Sequence, residues 1–428
     1  MQIPVIRASR TRALATASII LGLAACRDLP TASPVRVAKT AQSTQTPTPA
    51  TFVGCRDGVL SSGALWQICL PPSWNGSLIV WAHGYVSPFE PLAIPNDAVG
   101  GTPISAIVLG LGFAYATTSY RSNGLAAVDG SYDVEDLLEQ FDTEVGTPSR
   151  SYLVGASEGS LTSILVLERP DTNFDGGLAV CGPIGNFRSQ LDYFDDFRVL
   201  FDYLFPNVLP GNAVEIPQNL IDHWYDVYTP AVVAALISNP VATQQLLSVS
   251  HAPIDPSDPN TVGQTVLGIL WYNVFGTNEA TARLGGNPYD NTTREYAGSL
   301  DDASLNLQVD RFAASPRALA HLKKFETSGR LRRPVVSLHT TGDPIIPIWQ
   351  QVLYEEKVFE VPNAAPFAAS SIVRYGHCTF TEAEVLAGFA QLVQETAGAS
   401  VGLPAALLSN QTAASDFVEL SRSRGVNP

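Results

Sequence analysis

Charged residues are scarce in this chain, and basic residues are the scarcer of the two kinds. Of 428 residues only 15% are charged, with 25 Lys and Arg against 40 Asp and Glu. Three of the basic residues fall among the first 25 residues, which contain no acid, so the remainder holds 22 basic and 40 acidic residues and a net charge of −18. An acidic chain repels phosphate backbones, so we expect no nucleic acid partner.

Cysteine is also rare, with five in the chain, and no two of them form a Cys-x-x-Cys pair. The sequence therefore predicts no bound metal, and it implies no organic cofactor. Cys55, Cys69, Cys181 and Cys378 follow Cys26, and an exported protein can keep such residues as disulfides. Four cysteines allow three pairings, of which we favour Cys55–Cys69 because it closes a local hairpin. Four buried free thiols are the alternative.

The apolar run near the N-terminus is too short for a permanent membrane helix. It covers residues 13–25 and follows three arginines, which is typical of a signal peptide over residues 1–25. The run ends Leu23-Ala24-Ala25-Cys26, which resembles the bacterial lipobox. The resemblance implies export, lipidation of Cys26 and a membrane contact through the lipid anchor alone. Arg27 rather than Asp directly follows Cys26, and by the same resemblance this favours the outer membrane or the cell surface. An ordinary signal peptide that is cut nearby is the alternative.

Composition divides the rest of the chain into four segments. Residues 26–50 are rich in Thr, Ser, Pro and Ala, and we expect them to form a disordered tether. Strand-like and helix-like periodicity alternate over residues 51–185 and again over residues 331–428, which indicates an α/β fold with a doubly wound, mostly parallel sheet. Residues 186–330 have mostly helical periodicity broken by prolines, with many aromatic side chains. They predict a large inserted helical cap.

Short apolar runs in the two core segments predict the strands of this sheet. Ligands of such sheets bind at the carboxyl ends of the strands, so residues that directly follow these runs are candidate site residues. Asp133 is expected to cap a helix that ends at Gly146, and Thr381 with Glu384 to form a capping box for a helix through Val393. The predicted strands cover residues 64–70, 77–82, 113–120, 152–154, 174–181, 334–341 and 371–375.

The most informative motif is Gly155-x-Ser157-x-Gly159. It follows a short apolar run and precedes an amphipathic helical pattern, which is the context of a nucleophile elbow. Glycine at both flanking positions removes Cβ atoms that would collide in so tight a turn. The motif therefore predicts a serine hydroxyl that stands clear at the edge of the sheet.

A serine hydroxyl needs a base and an oriented carboxylate to act as a nucleophile. In the chain order Ser, acid, His, the best acid is Asp343, which follows a buried strand in a Gly-Asp-Pro turn. The best base is His377, which follows the last predicted strand. The sequence thus predicts a catalytic triad of Ser157, Asp343 and His377.

Competing histidines and aspartates are less well placed. His339 lies inside the strand that precedes Asp343, and strand geometry is expected to point it away from the site. The remaining candidates lie in the predicted cap, where a structural or solvated role is more common: His223, His251, His321, Asp301, Asp302 and Asp310.

Two backbone N–H groups should stabilise the oxyanion of an acyl-transfer intermediate. One belongs to Glu158, the residue after the serine. The other is expected from the loop His83-Gly84-Tyr85 that follows the strand at 77–82, most plausibly from Tyr85, with His83 bracing the loop. The Glu158 side chain itself is interpreted as an exposed turn acid.

These motifs together look like the α/β-hydrolase superfamily. The resemblance covers residues 51–185 and 334–402, and the phrases HTTGDPIIP and YGHCTFTEAE are similar to secreted bacterial members. It implies ester hydrolysis first, with peptidase, thioesterase or acyltransferase relatives. His377-Cys378 is also similar to tannase and feruloyl esterases, where cysteines next to the serine and the histidine are joined. Ala156 precedes Ser157 here, so we expect Cys181 to replace that partner and bond to Cys378.

Three functions are therefore weighed. The first is a carboxylic-ester hydrolase that acts on a small-molecule acyl ester through an acyl-enzyme. The second is a serine peptidase of the periplasm that uses the same triad. The third, a surface lipoprotein that keeps the fold only for binding, would be favoured by a missing triad member, and none is missing.

Overall fold

The structure, a computed structural model, describes residues 52–397. The predicted signal peptide over residues 1–25 and the whole of the predicted tether over residues 26–50, including Cys26, lie outside the described residues. Everything that follows concerns the described part of the chain.

Ten strands are present, and eight of them form one sheet in the order β1-β2-β6-β3-β7-β8-β9-β10, while β4 and β5 pair separately. The strands β3, β6, β7, β8, β9 and β10 are parallel, and β1 and β2 extend that sheet with antiparallel pairing. The strand bounds are β1 Gly54–Val59, β2 Leu65–Leu70, β3 Ser77–Ala82, β4 Ala98–Val99, β5 Thr102–Pro103, β6 Ala114–Thr118, β7 Arg150–Ala156, β8 Gly176–Val180, β9 Val335–Gly342 and β10 Phe367–Tyr375.

Both faces of the central strands β3, β6, β7 and β8 are buried, which explains why these strands read as mostly apolar runs. In β3, Leu78 and Val80 pack on one face and Ile79 and Trp81 on the other. Helices cover the two faces, as a doubly wound sheet requires. The core helices are α1 Ile104–Gly110, α2 Ala127–Glu144, α3 Glu158–Leu167, then α11 Trp349–Glu360 and α12 Glu382–Ala397 near the end of the described chain.

The prediction that Asp133 caps a helix is wrong. The helix α2 already begins at Ala127, and Asp133 lies in its second turn with a fully buried side chain. Its carboxylate accepts hydrogen bonds from Arg121 and from the Ser62 hydroxyl at 2.7 Å. A buried charge needs such partners, and tertiary contacts rather than capping therefore explain this residue. The capping box of Thr381 and Glu384 is present at the start of α12.

Between β8 and β9 the chain forms a layer of helices with its own core of aromatic and aliphatic side chains. We refer to the residues from Phe187 to Phe325 as the cap. Its α-helices are α4 Phe187–Leu204, α5 Gln218–Asp222, α6 Thr229–Ser238, α7 Pro240–Ser250, α8 Asn260–Leu284, α9 Asp302–Gln308 and α10 Pro316–Leu322.

Within residues 52–397 we find no single helix with the length and hydropathy to cross a membrane. One pair of helical segments, Trp224–Ser238 and Pro240–Ser250, meets that test only when taken together, and it is bent by 102°.

Candidate active site

The turn between β7 and α3 has the geometry of a nucleophile elbow. Ser157 lies at its centre with φ 54° and ψ −126°, a backbone conformation that residues other than glycine rarely adopt. The two flanking glycines avoid steric clashes with neighbouring backbone atoms. A Cβ on Gly155 would lie 2.2 Å from the Gly159 oxygen, and one on Gly159 would lie 2.0 Å from the Ala82 oxygen. The close approach of β3, β7 and α3 therefore permits only glycine at these two positions.

The three predicted triad residues meet at the carboxyl edge of the sheet. The Nδ1 atom of His377 lies 2.7 Å from the Asp343 Oδ2 atom, and its Nε2 atom lies 2.9 Å from the Ser157 Oγ atom. His377 is 34 positions from Asp343 and 220 positions from Ser157 in the chain. They meet because β7, β9 and β10 are parallel, so the turns that follow them lie at one edge.

The Asp343 carboxylate is held in place from both sides. It is fully buried, and its Oδ1 atom accepts hydrogen bonds from the backbone N–H groups of Ile345 at 2.9 Å and Ile346 at 3.0 Å. The other oxygen is left to face His377. Such an arrangement fixes both the tautomer and the rotation of an imidazole ring.

His339 and His83, the two core histidines outside the triad, have other roles. His339 is fully buried, its Nε2 atom is 2.7 Å from the Ile346 oxygen, and burial lowers its pKa. His83 stacks on Tyr120 with 4.0 Å between ring centres, and burial lowers its pKa as well. Both pKa shifts favour neutral imidazoles that support the turns beside the site.

The competing residues of the cap do not approach the serine pocket. His223 is exposed and lies 3.3 Å from the Asp226 carboxylate, while Asp301 caps the start of α9 through the Ser304 N–H. The remaining ones are exposed or half-buried on the cap and are absent from the cavity beside Ser157: His251, His321, Asp302 and Asp310.

Two disulfides connect the described cysteines. Cys55 is joined to Cys69 across the β1–β2 hairpin, and Cys181 is joined to Cys378. The second bond ties the loop that carries His377 to the end of β8. Cys181, His377 and Cys378 place donor atoms within 4.8 Å of one another, but the two sulfurs are bonded to each other and supply no thiolate for a metal.

The loop after β3 passes directly beside the serine, where an oxyanion loop would have to lie. A Cβ on Gly84 would stand 3.1 Å from the Ser157 Cβ and 3.7 Å from its Oγ atom. The Tyr85 ring packs between Trp271 and Tyr272 of α8, so the cap holds this loop against the elbow. Glu158 is the first residue of α3, and a helix start leaves its N–H group without an intrahelical partner.

The interpretation of the Glu158 side chain as an exposed acid is wrong. The residue is only 6% exposed, and its Oε1 atom accepts hydrogen bonds from the N–H groups of Ala126 at 2.8 Å and Ala127 at 3.0 Å. Burial raises the pKa of this carboxyl to about 8. These partners could not be predicted from the sequence, because they belong to the start of a helix about thirty residues earlier.

A cavity of about 80 Å³ opens beside Ser157 and Glu158, between the elbow and the cap helices α4 and α8. Glu279 of α8 and Asp195 of α4 are two further acids in its wall, and Glu279 accepts a hydrogen bond from the Leu125 N–H at 2.9 Å. Sequence reasoning missed Glu279 because nothing in the pattern of the cap marks which helix faces the site. The rest of the wall is largely apolar and includes Tyr85, Phe187, Phe194, Tyr272 and Ile346.

A mostly parallel sheet, with a strained serine between a central strand and the following helix, defines the α/β-hydrolase fold, so the predicted fold class is confirmed. No family model matches the chain. An o-phthalyl amidase from Xanthobacter agilis is 24% identical over 417 residues, which cover 79% of this chain and 86% of that protein.

Solved structures with a similar backbone fold include a peptidase and a lipase. An acylaminoacyl peptidase from Pyrococcus horikoshii is 13% identical with a TM-score of 0.38, and the match covers 76% of this chain and 37% of the peptidase. The chain thus spans little more than a third of that enzyme. Candida antarctica lipase A in its closed state is 12% identical with a TM-score of 0.43, and the match covers 87% of this chain and 90% of the lipase.

Proposed function

We propose that the protein is a serine hydrolase that cleaves carboxylic esters through an acyl-enzyme. The observation that carries this proposal is the continuous hydrogen-bonded chain from Ser157 Oγ through His377 to Asp343, with 2.9 and 2.7 Å between the bonded atoms. It ends beside a largely apolar cavity, which suits an apolar acyl or aryl group.

The proposed reaction follows from the roles that these positions allow. Ser157 Oγ attacks the carbonyl carbon while His377 Nε2 takes its proton, and Asp343 stabilises the imidazolium. The N–H groups of Glu158 and Tyr85 would bind the resulting oxyanion. Collapse of the intermediate releases the alcohol, which takes the proton from His377. Water then attacks the acyl-enzyme by the same route and releases the acid.

Amide cleavage is the second candidate function, and one observation favours it. The relative from Xanthobacter agilis is named an amidase, and the match covers 86% of its length. A peptidase that uses the same triad belongs to this candidate. The third option, binding without catalysis, is less well supported because the three side chains needed for catalysis are in contact.

Matched substrates that differ only in the leaving group test this proposal. Purified protein would be given p-nitrophenyl butyrate and butyryl p-nitroanilide, with Ser157→Ala as the background at each concentration. We expect the ester to be turned over with a kcat/KM at least about a hundredfold above that of the anilide. The reverse order would replace the ester assignment with amide cleavage, and turnover of neither would contradict the hydrolase.

We also propose that the protein is exported. Disulfides are rare where thiols are kept reduced, so the two disulfides of this protein support a location outside the cytoplasm. Lipidation at Cys26 and attachment to the outer membrane remain part of this proposal, since they rest on the lipobox-like residues alone. Intact mass spectrometry of the membrane fraction, with Cys26→Ser as the control, would show the added lipid.

The disulfide beside His377 provides a further prediction. Replacing Cys181 and Cys378 together by serine is expected to lower kcat by roughly tenfold to a hundredfold, because the His377 loop loses its tether and small displacements of a catalytic group are costly. Stability should fall by about 2–5 kcal/mol. The matched control is the double replacement of Cys55 and Cys69, which should lower stability but leave kcat within about twofold. Equal kcat values for the two double variants would contradict a role for the tether.

A further inference from the structure

We propose that the Glu158 side chain is a positioning residue for the oxyanion hole: by binding the start of α2, it holds its own backbone N–H group in line with the acyl oxygen on Ser157. This inference rests on the proposed hydrolase function. It concerns the carboxyl group of Glu158, which takes no part in the reaction steps described above.

The anchoring contact is short, buried and directly attached to the elbow. Glu158 follows Ser157, and its Oε1 atom bridges the N–H groups of Ala126 and Ala127 at 2.8 and 3.0 Å. The helix α2 begins after an alanine, which provides no side-chain cap, so these N–H groups would otherwise be buried without partners. The same carboxyl oxygen therefore caps the N-terminus of α2 and restrains Glu158, the first residue of α3.

The anchor is firm because the cap is bound to the same helix end. The neighbouring N–H group, that of Leu125, donates to Glu279 of α8 at 2.9 Å. Arg283 of α8 pairs with Glu279 and also with Asp129 in the first turn of α2 at 2.9 Å. Three consecutive N–H groups are thus held by two carboxyl groups, one from the elbow and one from the cap. The orientation of Glu158 is consequently set by a rigid junction rather than by solvent.

An elbow needs such a restraint more than an ordinary turn does. Ser157 is held at φ 54°, so the backbone on either side of it would relax if it were free to do so. An oxyanion donor contributes to catalysis only when it points at the place where the negative charge develops. Truncating Glu158 to alanine would remove the restraint and leave two buried N–H groups unpaired, whereas glutamine keeps the accepting oxygen.

Protonation of Glu158 adds a readout that a merely structural role would lack. The titratable and charged groups that face it are Tyr272, Glu279 and Arg283 of α8, Tyr85 after β3 and Tyr120 after β6. Burial is the largest cause that raises its pKa to about 8, against an ordinary 4.5. Below that pH the neutral acid still accepts both N–H groups. Above it the carboxyl group carries a negative charge in the wall of the cavity that Ser157 also lines, and this charge opposes the formation of a negative oxyanion there.

The sign of the effect on stability follows from the same shift. Because the folded pKa of about 8 lies above the ordinary 4.5, the favourable contribution to stability is complete below pH 4.5 and is lost progressively between pH 4.5 and 8. We therefore expect the free energy of unfolding of the wild type to decline over that range and to level off above pH 8, whereas turnover should decline as the pH rises through 8.

The test compares kcat and KM for p-nitrophenyl acetate between pH 6 and pH 10 in the wild type, Glu158→Gln and Glu158→Ala, with the Ser157→Ala rate subtracted as background. We expect Glu158→Ala to lower kcat at pH 6.5 by about tenfold to a hundredfold with KM changed less than about threefold. Glu158→Gln should recover most of that loss and lack the decline in kcat around pH 8. The exposed Glu295→Gln serves as the matched control and should keep the wild-type profile.

Two results would overturn the inference. One is a Glu158→Ala variant as active as the wild type, and the other is a Glu158→Gln variant that keeps the wild-type decline around pH 8. If alanine prevents folding, the glutamine profile alone decides. Wild-type protein that is inert toward all acyl substrates would instead contradict the proposed hydrolase function, so the two failures are distinguishable.

Discussion

Replacing His377 with alanine is expected to lower kcat for ester hydrolysis by about five to six orders of magnitude. The Nε2 atom of His377 is 2.9 Å from the Ser157 hydroxyl, and it is the imidazole that contacts that hydroxyl. Without it the serine would have to lose its proton to water. The side chain is partly exposed, at 18%, so its removal should leave the fold intact. Steady-state kinetics with p-nitrophenyl butyrate would measure the loss, and thermal unfolding would check the fold.

A matched histidine variant makes this result specific. His223→Ala removes an exposed imidazole of the cap that lies 3.3 Å from the Asp226 carboxylate, and we expect it to retain wild-type kcat. A His377→Ala variant that keeps more than about a hundredth of wild-type kcat while folded would show that another group is the base. His339 would then become the candidate, since its Nε2 atom lies 3.7 Å from the Asp343 carboxylate.

Replacing Asp343 with asparagine is expected to lower kcat by about four orders of magnitude with little change in KM. Asparagine can still accept the N–H groups of Ile345 and Ile346 through its oxygen, so the turn should keep its shape. Its NH₂ group would then face His377 Nδ1, where the carboxylate oxygen lies 2.7 Å away now. A donor at that place favours the wrong tautomer of the imidazole and leaves the imidazolium without its counter-charge.

The comparison with a second aspartate separates this role from a general loss of charge. Asp310→Asn changes an exposed aspartate of the cap that the sequence also offers as a candidate acid, and it should leave kcat within about twofold of the wild type. A larger loss in Asp310→Asn than in Asp343→Asn, measured with the same ester, would reverse the assignment of the acid.

Much of the core could be predicted from the sequence because local pattern and chain order carry that information. The run Ser77–Ala82 is a strand with the predicted bounds, and the elbow around Ser157 follows from its two glycines and apolar flanks. The meeting of Asp343 with His377 follows from topology: both come directly after strands of one parallel sheet. For residues that directly follow parallel strands of one sheet, this position is enough to predict that their side chains lie close together.

The features that the sequence could not predict depend on contacts between distant segments. Asp133 is a residue type that often caps helices, but here it lies within α2 and accepts hydrogen bonds from Arg121 and Ser62. Glu158 is a charged residue in a turn, which predicts exposure, but α2 and the cap bury it. Which cap residues face Ser157 depends on how α4 and α8 pack over the sheet, and helical periodicity gives only the apolar face of each helix, not its partner.

Covalent labelling at Ser157 is the most direct measurement of the central claim, since it requires neither the natural substrate nor a choice between ester and amide. The full chain would be treated with a fluorophosphonate probe and digested, and the labelled peptide identified by mass spectrometry. We predict one modified site, at Ser157, with labelling abolished in Ser157→Ala and strongly slowed in His377→Ala. Folded wild-type protein that remains unlabelled, or that is labelled equally in Ser157→Ala, would contradict the claim that this serine is an activated nucleophile.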